Sequence, residues 1–380
     1  MAAPIKLLVF LHSLEAGGVE SDALRLIAAF ATDEVETHLA IGRATGPLRP
    51  MVPRVPLTVF EQGRYSTASF ETLWMIWKLP REIRRVRPDV ILCAGNTYSI
   101  VAMAMWLRLG RSCPPIVLKV SNDLRRKDMA RPVRAVYQIW LKLQVRCFAA
   151  IVGMAAPAAA EISDHMAIAP ARVTIIPNGS ITAGAMAAMA ETREAVIRER
   201  RGRPRNGRHY LAIGRLVPQK NFALLLAAFA EIASADDRLV IAGDGPLRGR
   251  LMALATHLGI SERLTMPGYI NPIDALLADA DVFVLSSDYE GLGVVVVEAL
   301  AAGLPIVATD CCVSMASLVG NRGTIVPVGE AAALAAAMAA QAPLSPAVRI
   351  AAVADMACFT VEHAADAYLA LFRHVADSRR

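Results

Sequence analysis

Two carboxylates eight residues apart, Glu290 and Glu298, stand in the stretch DVFVLSSDYEGLGVVVVEALAAGLPIVATD, residues 281–310. A carboxylate accepts two or more hydrogen bonds, which suits the hydroxyls of a sugar or a ribose. Gly291 and Gly293 lie between the two, where a sharp bend lets a ligand approach the backbone closely. Upstream, Arg215 and Lys220 share one short loop, GRLVPQKN, and Gly243-Asp244-Gly245-Pro246 forms another. Two cations beside a Gly-rich loop and a helix N-terminus suit a diphosphate, whose departure they would stabilise without a metal. Each loop alone is ambiguous: Glu290 reads also as a solvated loop residue, and Glu298 as half of an ion pair. Together they describe a nucleotide-sugar site with the diphosphate as leaving group. No cofactor is expected beyond that substrate, because the reading finds no D-x-D carboxylate pair for Mg²⁺ and no His/Cys cluster for zinc.

The elements that must position these groups follow one rhythm. Residues 281–285 are a short apolar run suited to a buried parallel strand, 286–293 a polar loop and 294–302 an apolar helix. Gly303 and Pro305 end that helix before the next strand, 306–309. Strands at 210–213, 239–242 and 264–266 enter the other loops, and a last strand at 323–326 precedes a helix-rich tail. Strands alternating with helices imply parallel sheets, whose ligands sit beyond the strands' carboxyl ends. The three loops therefore share one sheet edge.

The first half repeats the rhythm. A strand at 5–11 runs into a loop ending in Gly17-Gly18 and then a helix, a shape that presents N–H groups to an anion and equally makes a tight turn. Glu20 suits the helix dipole and needs no further role. Further strands are expected at 37–41, 57–60, 89–94, 116–120, 148–152 and 173–176. Residues 66–87 read as one long helix kinked near Pro80, with Trp74 and Trp77 beside Lys78, Arg81, Arg84 and Arg85. Aromatics on a basic face suit a membrane interface, and an ordinary sheet-packed helix reads as well. Seven arginines crowd residues 193–208 and mark a linker by composition.

At 380 residues the chain exceeds what one core usually serves, so two domains are expected. The boundaries read as 1–181, a basic linker 182–208, a second domain 209–358 and a C-terminal segment 359–380. Hydrophobic residues make up 55% of the chain and mean hydropathy is +0.42, yet no apolar run is long enough to span a bilayer. The N-terminal apolar core is only about five residues, a first strand rather than a signal peptide. Six cysteines without C-x-x-C spacing read as buried reduced thiols of a cytoplasmic protein. A net charge of +6 fits an anionic ligand or an anionic membrane surface, and no nucleic-acid signature accompanies it.

The second half resembles the GT4-type retaining glycosyltransferases of the GT-B fold. The E-x7-E motif is Glu290 to Glu298, and the likeness extends through Gly214-Arg215-Leu216 with Lys220-Asn221, Gly243-Asp244-Gly245-Pro246, Gly268 and the run from Glu298 to Pro305. Gly17-Gly18-Val19-Glu20 and Pro177-Asn178-Gly179 carry a looser likeness in the first half. The resemblance implies two Rossmann-like parallel-sheet α/β domains facing across a cleft and transfer of a sugar, UDP-linked by preference, with retention. Arg215 and Lys220 would hold the diphosphate, Glu290 the donor sugar, and Glu298 the ribose. Leu292, Gly293 and Val294 would sit over the phosphates at a helix N-terminus, with Gly17 and Gly18 closing from the other domain. Gly214, Gly243, Asp244, Gly268, Tyr269 and Gly291 would complete the donor contacts. It also implies that a C-terminal helix crosses back to the first domain.

Two departures stand out. Relatives often carry a histidine near the end of the strand at 116–120, where this chain has Ser121-Asn122-Asp123, so Asn122, with Asn96, becomes a candidate acceptor or sugar contact. A Gly-Pro and a Glu are common after the strand ending at Asp310, where this chain has CCVSMASLV. The expected acceptor is a saccharide or lipid-linked saccharide of cell-surface polysaccharide or glycolipid synthesis, with peripheral contact at the inner membrane face left open. The missing histidine keeps a non-catalytic nucleotide-sugar-binding subunit as the alternative. Nothing near Lys220 resembles the pyridoxal phosphate anchor of a phosphorylase.

Overall fold

The computed structural model describes residues 4–15, 17–30, 34–60, 70–121, 124, 126, 129–202 and 206–378. The chain divides into two compact units, residues 1–179 with 361–380, and residues 180–360. Each is built on one parallel sheet.

The first sheet contains β1 (Ile5–Leu11), β2 (Val35–Ile41), β3 (Leu57–Val59), β4 (Val90–Cys93), β5 (Ile116–Lys119), β6 (Ala150–Gly153) and β7 (Val173–Ile175), in the order β3-β2-β1-β4-β5-β6-β7. Residues Leu7 to Leu11 are fully buried. Their apolar run does not alternate because helices cover both faces of the sheet. β1 pairs in register with β2 from Ile5↔Val35 to Leu11↔Ile41 and with β4 from Leu7↔Val90. The strand order reverses between β1 and β4. The helix Val361–Asp377 belongs to this unit, and its Tyr368 and Phe372 pack against Phe30, the Phe372 ring centroid 5.6 Å away.

The second sheet contains β8 (His209–Ile213), β9 (Arg238–Ala242), β10 (Leu264–Gly268), β11 (Val282–Leu285), β12 (Ile306–Thr309) and β13 (Gly323–Val326), ordered β10-β9-β8-β11-β12-β13. Here the reversal lies between β8 and β11, which pair through Tyr210↔Val282 and Leu211↔Phe283.

The described part of the arginine-rich segment is mostly helix rather than linker. Residues Ala183–Gly202 are a helix of the second unit. Buried Arg193 donates from Nη1 to the carbonyl of Ala278 at 2.6 Å, and Arg200 bonds Asp279 at 2.6 Å and Asp281 at 2.9 Å. Burial lowers the Arg193 guanidinium to about 10, with Arg200 adding to the effect. Composition alone reads as solvated because the carbonyls and carboxylates that pair with Arg193 and Arg200 lie more than seventy positions on in sequence. The long helix expected at 66–87 is observed as Glu71–Val86, with residues 61–69 outside the described part.

Candidate functional site

Ligands of open parallel sheets sit where the strand order reverses, because neighbouring loops diverge there and leave a crevice. In the second unit the two loops that diverge follow β8 and β11. The first, residues 214–221, carries Arg215 and Lys220; the second, residues 286–293, carries Glu290. Lys220 Nζ bonds Glu290 Oε1 at 2.5 Å, and Ser287 Oγ donates to the same oxygen at 2.7 Å. Glu290 is buried, so its carboxylate is positioned by these two donors rather than solvated.

The loops are locked together by more than this pair. Gln219 Nε2 donates to the Tyr289 carbonyl at 2.8 Å, the Asp288 amide donates to the Gln219 carbonyl at 2.8 Å, and Asn221 Nδ2 donates to Asp288 Oδ1 at 2.8 Å. Ser286 Oγ donates to the Lys220 carbonyl at 2.9 Å. Behind them, the Glu290 amide donates to the Cys311 carbonyl at 3.0 Å, and Thr309 Oγ1 to the Ser287 carbonyl at 2.6 Å. The CCVSMASLV segment thus braces the Glu290 loop through its backbone, whatever its side chains lack. The Cys311 thiol is pushed up by its hydrogen bond with Cys312 and by burial, so it stays protonated.

The Gly-rich loop approaches from β9. The Gly214 amide donates to the Ala242 carbonyl at 2.9 Å, the Gly243 amide to Gly268 at 2.8 Å, and the Leu216 amide to Asp244 at 2.8 Å. Gly243 has φ 144°, and a Cβ there would stand 1.9 Å from the Gly214 carbonyl oxygen. Only glycine allows that approach. Arg215, Asp244 and Tyr269 are exposed. Gly293 caps the helix Val294–Ala301 in a left-handed conformation, φ 79°, with Leu292 buried beside it. Val294 opens the helix, and Glu298 follows one turn later, half-buried. Gly291 is half-buried in the same loop. The structure therefore gathers every residue expected on the donor side of the second unit onto the carboxyl edge of one sheet. Lys220 and Glu290 touch directly.

Contrary to the expectation of no D-x-D pair, the chain holds one at Asp279-Ala280-Asp281. Both carboxylates are engaged away from the loops: Asp279 by Arg200 and by His209 Nδ1 at 2.7 Å, Asp281 by Arg200 and the His209 amide at 2.9 Å. Their work is to anchor the helix Ala183–Gly202.

In the first unit, Gly17 caps the helix Gly18–Ala29. A Cβ on Gly17 would stand 1.9 Å from Glu20 Oε2, because the Glu20 side chain folds back over the turn. The other Glu20 oxygen accepts from the Tyr98 hydroxyl, giving Glu20 a role beyond the helix dipole. The Tyr98 ring packs on His12 at 4.6 Å across the strand-order reversal between β1 and β4. Burial lowers His12 to about 4, so it is neutral at physiological pH. Asn96 Oδ1 accepts from Ser121 Oγ at 3.2 Å, and its Nδ2 lies 3.5 Å from the Tyr137 hydroxyl. Asn122 lies outside the described residues. Two groupings escaped the sequence reading: His12 with Tyr98 and Glu20, and buried Lys119, which is held by Asp22 and Asn178.

Two parallel-sheet units, each with a reversal of strand order, are the architecture of the GT-B fold. The family comparison agrees in both halves. Residues 16–182 match the Glycosyltransferase Family 4 model and residues 194–341 the Glycosyl transferases group 1 model. The chain belongs to the GT4-type glycosyltransferases. It is 35% identical over 145 residues to the lipopolysaccharide core biosynthesis glycosyltransferase LpsE of Rhizobium meliloti, covering 38% of this chain and 42% of that protein. It is 28% identical over 248 residues to the UDP-Gal:alpha-D-GlcNAc-diphosphoundecaprenol alpha-1,3-galactosyltransferase of Escherichia coli, covering 63% of this chain and 62% of the relative. The aligned stretches thus span less than two thirds of either relative. Among solved structures, the lipopolysaccharide outer core galactosyltransferase WaaB superposes with a TM-score of 0.69 at 13% identity, covering 99% of this chain and all of the other, 100%. Anabaena HepE in complex with UDP-glucose superposes with a TM-score of 0.67 at 18% identity, covering 99% of this chain and 98% of HepE. These superpositions establish the fold.

Proposed function

We propose that the chain is a retaining glycosyltransferase that moves a sugar from a nucleotide diphosphate, UDP by preference, to a saccharide or lipid-linked acceptor in cell-surface polysaccharide or glycolipid synthesis. The observation that carries this reading is the Lys220–Glu290 pair at the reversal point between β8 and β11. A cation and a carboxylate joined at 2.5 Å can each address a different part of one ligand. In this reading Lys220 and Arg215 take the charge that builds on the departing diphosphate, a role that needs no metal. Glu290 accepts hydrogen bonds from the donor sugar and Glu298 from the ribose. The N–H groups of Leu292 to Val294 face the phosphates at the helix N-terminus. Neither glutamate is assigned as a nucleophile or a general acid. Gly17 and Gly18 join the donor-binding residues from the first unit, and Asn96 and Asn122 are the acceptor or sugar contacts.

The relatives support the acceptor class: one is named for lipopolysaccharide core synthesis and another for a diphosphoundecaprenol substrate. The HepE complex supports UDP. An acceptor of that kind is met on the cytoplasmic face of an anionic membrane. The test is a thermal-shift panel of UDP-, GDP- and ADP-sugars. A ligand at 100 times its Kd adds about 2.7 kcal/mol of stability, a clear shift. Slow hydrolysis of the stabilising sugar nucleotide should persist with EDTA, give the retained anomer by proton NMR, and vanish in Lys220→Ala. No shift with any sugar nucleotide, an inverted product, or undiminished hydrolysis in Lys220→Ala would each overturn the reading.

A further inference from the structure

Two cysteines adjacent in sequence, Cys311 and Cys312, stand just past β12 and behind the Glu290 loop. Sequence reads all six cysteines as buried thiols. Cys311 is buried, whereas Cys312 is half-buried, and both are free. The two sulfurs meet, the Cys311 thiol donating to Cys312. Cys312 Sγ also lies 3.9 Å from the Leu292 carbonyl oxygen. The hydrogen bond from Cys311 lowers the Cys312 thiol below its ordinary range; burial opposes this, and the backbone N–H groups of Ser314 and Met315 support it. Burial instead raises Cys358, the other half-buried cysteine. Cys312 is therefore the better nucleophile, with a protonated thiol beside it.

The backbone ties this pair to the site. The Glu290 amide donates at 3.0 Å to the Cys311 carbonyl, which is the carbonyl of the peptide bond joining the two cysteines. On either side, the Cys311 amide donates to the Thr309 carbonyl at 2.8 Å and the Met315 amide to the Cys312 carbonyl at 3.1 Å. Cα atoms across one trans peptide are about 3.8 Å apart, below the span of about 4.4–6.8 Å that disulfides ordinarily bridge. An S–S bond between these neighbours closes only if their shared peptide turns. The carbonyl that holds Glu290 turns with it.

We propose that Cys311 and Cys312 form a reversible oxidation site, in which a hydroperoxide converts the pair to a disulfide and so frees the Glu290 loop from its anchor. The Cys312 thiolate attacks one peroxide oxygen, the O–O bond breaks, and a sulfenic acid is left on Cys312. The other peroxide oxygen leaves as water or an alcohol with the proton that Cys312 gave up. The Cys311 sulfur then attacks the Cys312 sulfur. The S–S bond forms, the S–O bond breaks, and the hydroxyl leaves as water with the Cys311 proton. Two thiols are oxidised and one peroxide is reduced. A thiol reductant reverses the change by exchange at the disulfide. The consequence for sugar-nucleotide binding rests on the proposed donor role of the Glu290 loop; the oxidation itself does not.

The full chain treated with hydrogen peroxide tests this. Mass spectrometry should find the peptide that spans Cys311 and Cys312 lighter by two hydrogens, and restored by dithiothreitol. Hydrogen exchange at the Glu290 amide should become about fivefold faster, the worth of one backbone hydrogen bond, and return on reduction. Cys311→Ser should stop at a sulfenic acid on Cys312, trapped by dimedone, with Glu290 exchange as in the reduced parent. Cys358→Ser should respond to peroxide as the parent does. A sugar nucleotide that stabilises the reduced chain should lose most of its thermal shift on oxidation and regain it on reduction. The mass and exchange readouts need no sugar nucleotide, so their failure is distinct from failure of the thermal-shift panel. A pair that stays reduced under peroxide, or passes straight to sulfinic acid, would overturn the proposal. So would a disulfide that leaves Glu290 exchange, or an established thermal shift, unchanged.

Discussion

Lys220 and Glu290 are unequal partners. Glu290 is buried at the base of its loop, with Ser287 as its other side-chain donor, and Lys220, 16% exposed, reaches it on a flexible stem. Removing the lysine strands a buried carboxylate, which costs about 3 kcal/mol or more. Neutralising the glutamate leaves an amide oxygen for both donors, at a cost nearer 1 kcal/mol. Urea melts should therefore rank Lys220→Met below Glu290→Gln in stability, although both should lose donor turnover; equal losses would contradict the geometry. His12 gives a second residue-level expectation. Its folded-state value is lowered to about 4 from 6.5 by burial, so between those values the unfolded chain binds one more proton than the native state. Its contribution is complete above pH 6.5 and is lost as pH falls toward 4, by about 3 kcal/mol in all. His12→Asn should flatten that part of the pH–stability profile, and an unchanged slope would place the burial elsewhere. The motif spacing marked Glu290 and Lys220 in advance because each sits in its own recognisable loop. It was silent on His12 with Tyr98 and Glu20, and on Lys119 with Asp22 and Asn178. Those partners come from different strands and helices, and Lys119 is 97 and 59 positions away from its two. Spacing along the chain carries no trace of them.

At the scale of elements, glycine separates geometry from flexibility. Gly243 holds φ 144° with its missing Cβ aimed at the Gly214 carbonyl, whereas Gly249, in the helix Arg248–His257, has open space around it. Gly243→Ala should force the β8 and β9 loops apart and weaken sugar-nucleotide binding, read as a lost thermal shift. Gly249→Ala should leave binding intact and raise stability by about 0.5–1 kcal/mol. Equal behaviour of the two variants would deny the Gly243 loop a role in the site. The strands were legible from their apolar runs, from Ile5–Leu11 through Gly323–Val326, with ends shifted by a residue or two. What misled was charge. Arg193 and Arg200 of Ala183–Gly202 read as solvated by composition, yet they clamp the C-terminal carbonyls of Asp274–Asp279 and the carboxylate just before β11. The strand that delivers Glu290 is thereby fixed from behind.

At the scale of the whole molecule, the first unit is completed by residues remote in sequence. The chain leaves it after Gly179 and supplies Val361–Asp377 only after the second unit is built. Tyr368 and Phe372 are fully buried, and Phe372 meets Phe30 edge-on at 5.6 Å. The first core includes side chains of this last helix, whereas the loops carrying Lys220, Gly243 and Glu290 belong to the other unit. Phe372→Ala removes a buried ring and should cost the first unit about 3–5 kcal/mol. The second unit keeps its own core around Phe229, Leu225 and Val284, which this substitution does not touch. Calorimetry should then show two separated transitions, the lower one moved down by the substitution. A UDP-sugar should raise the upper one, because the residues proposed to hold it lie on β8 to β11 and their loops. A single transition that moves as one in Phe372→Ala would mean that the two cores fold as one cooperative body.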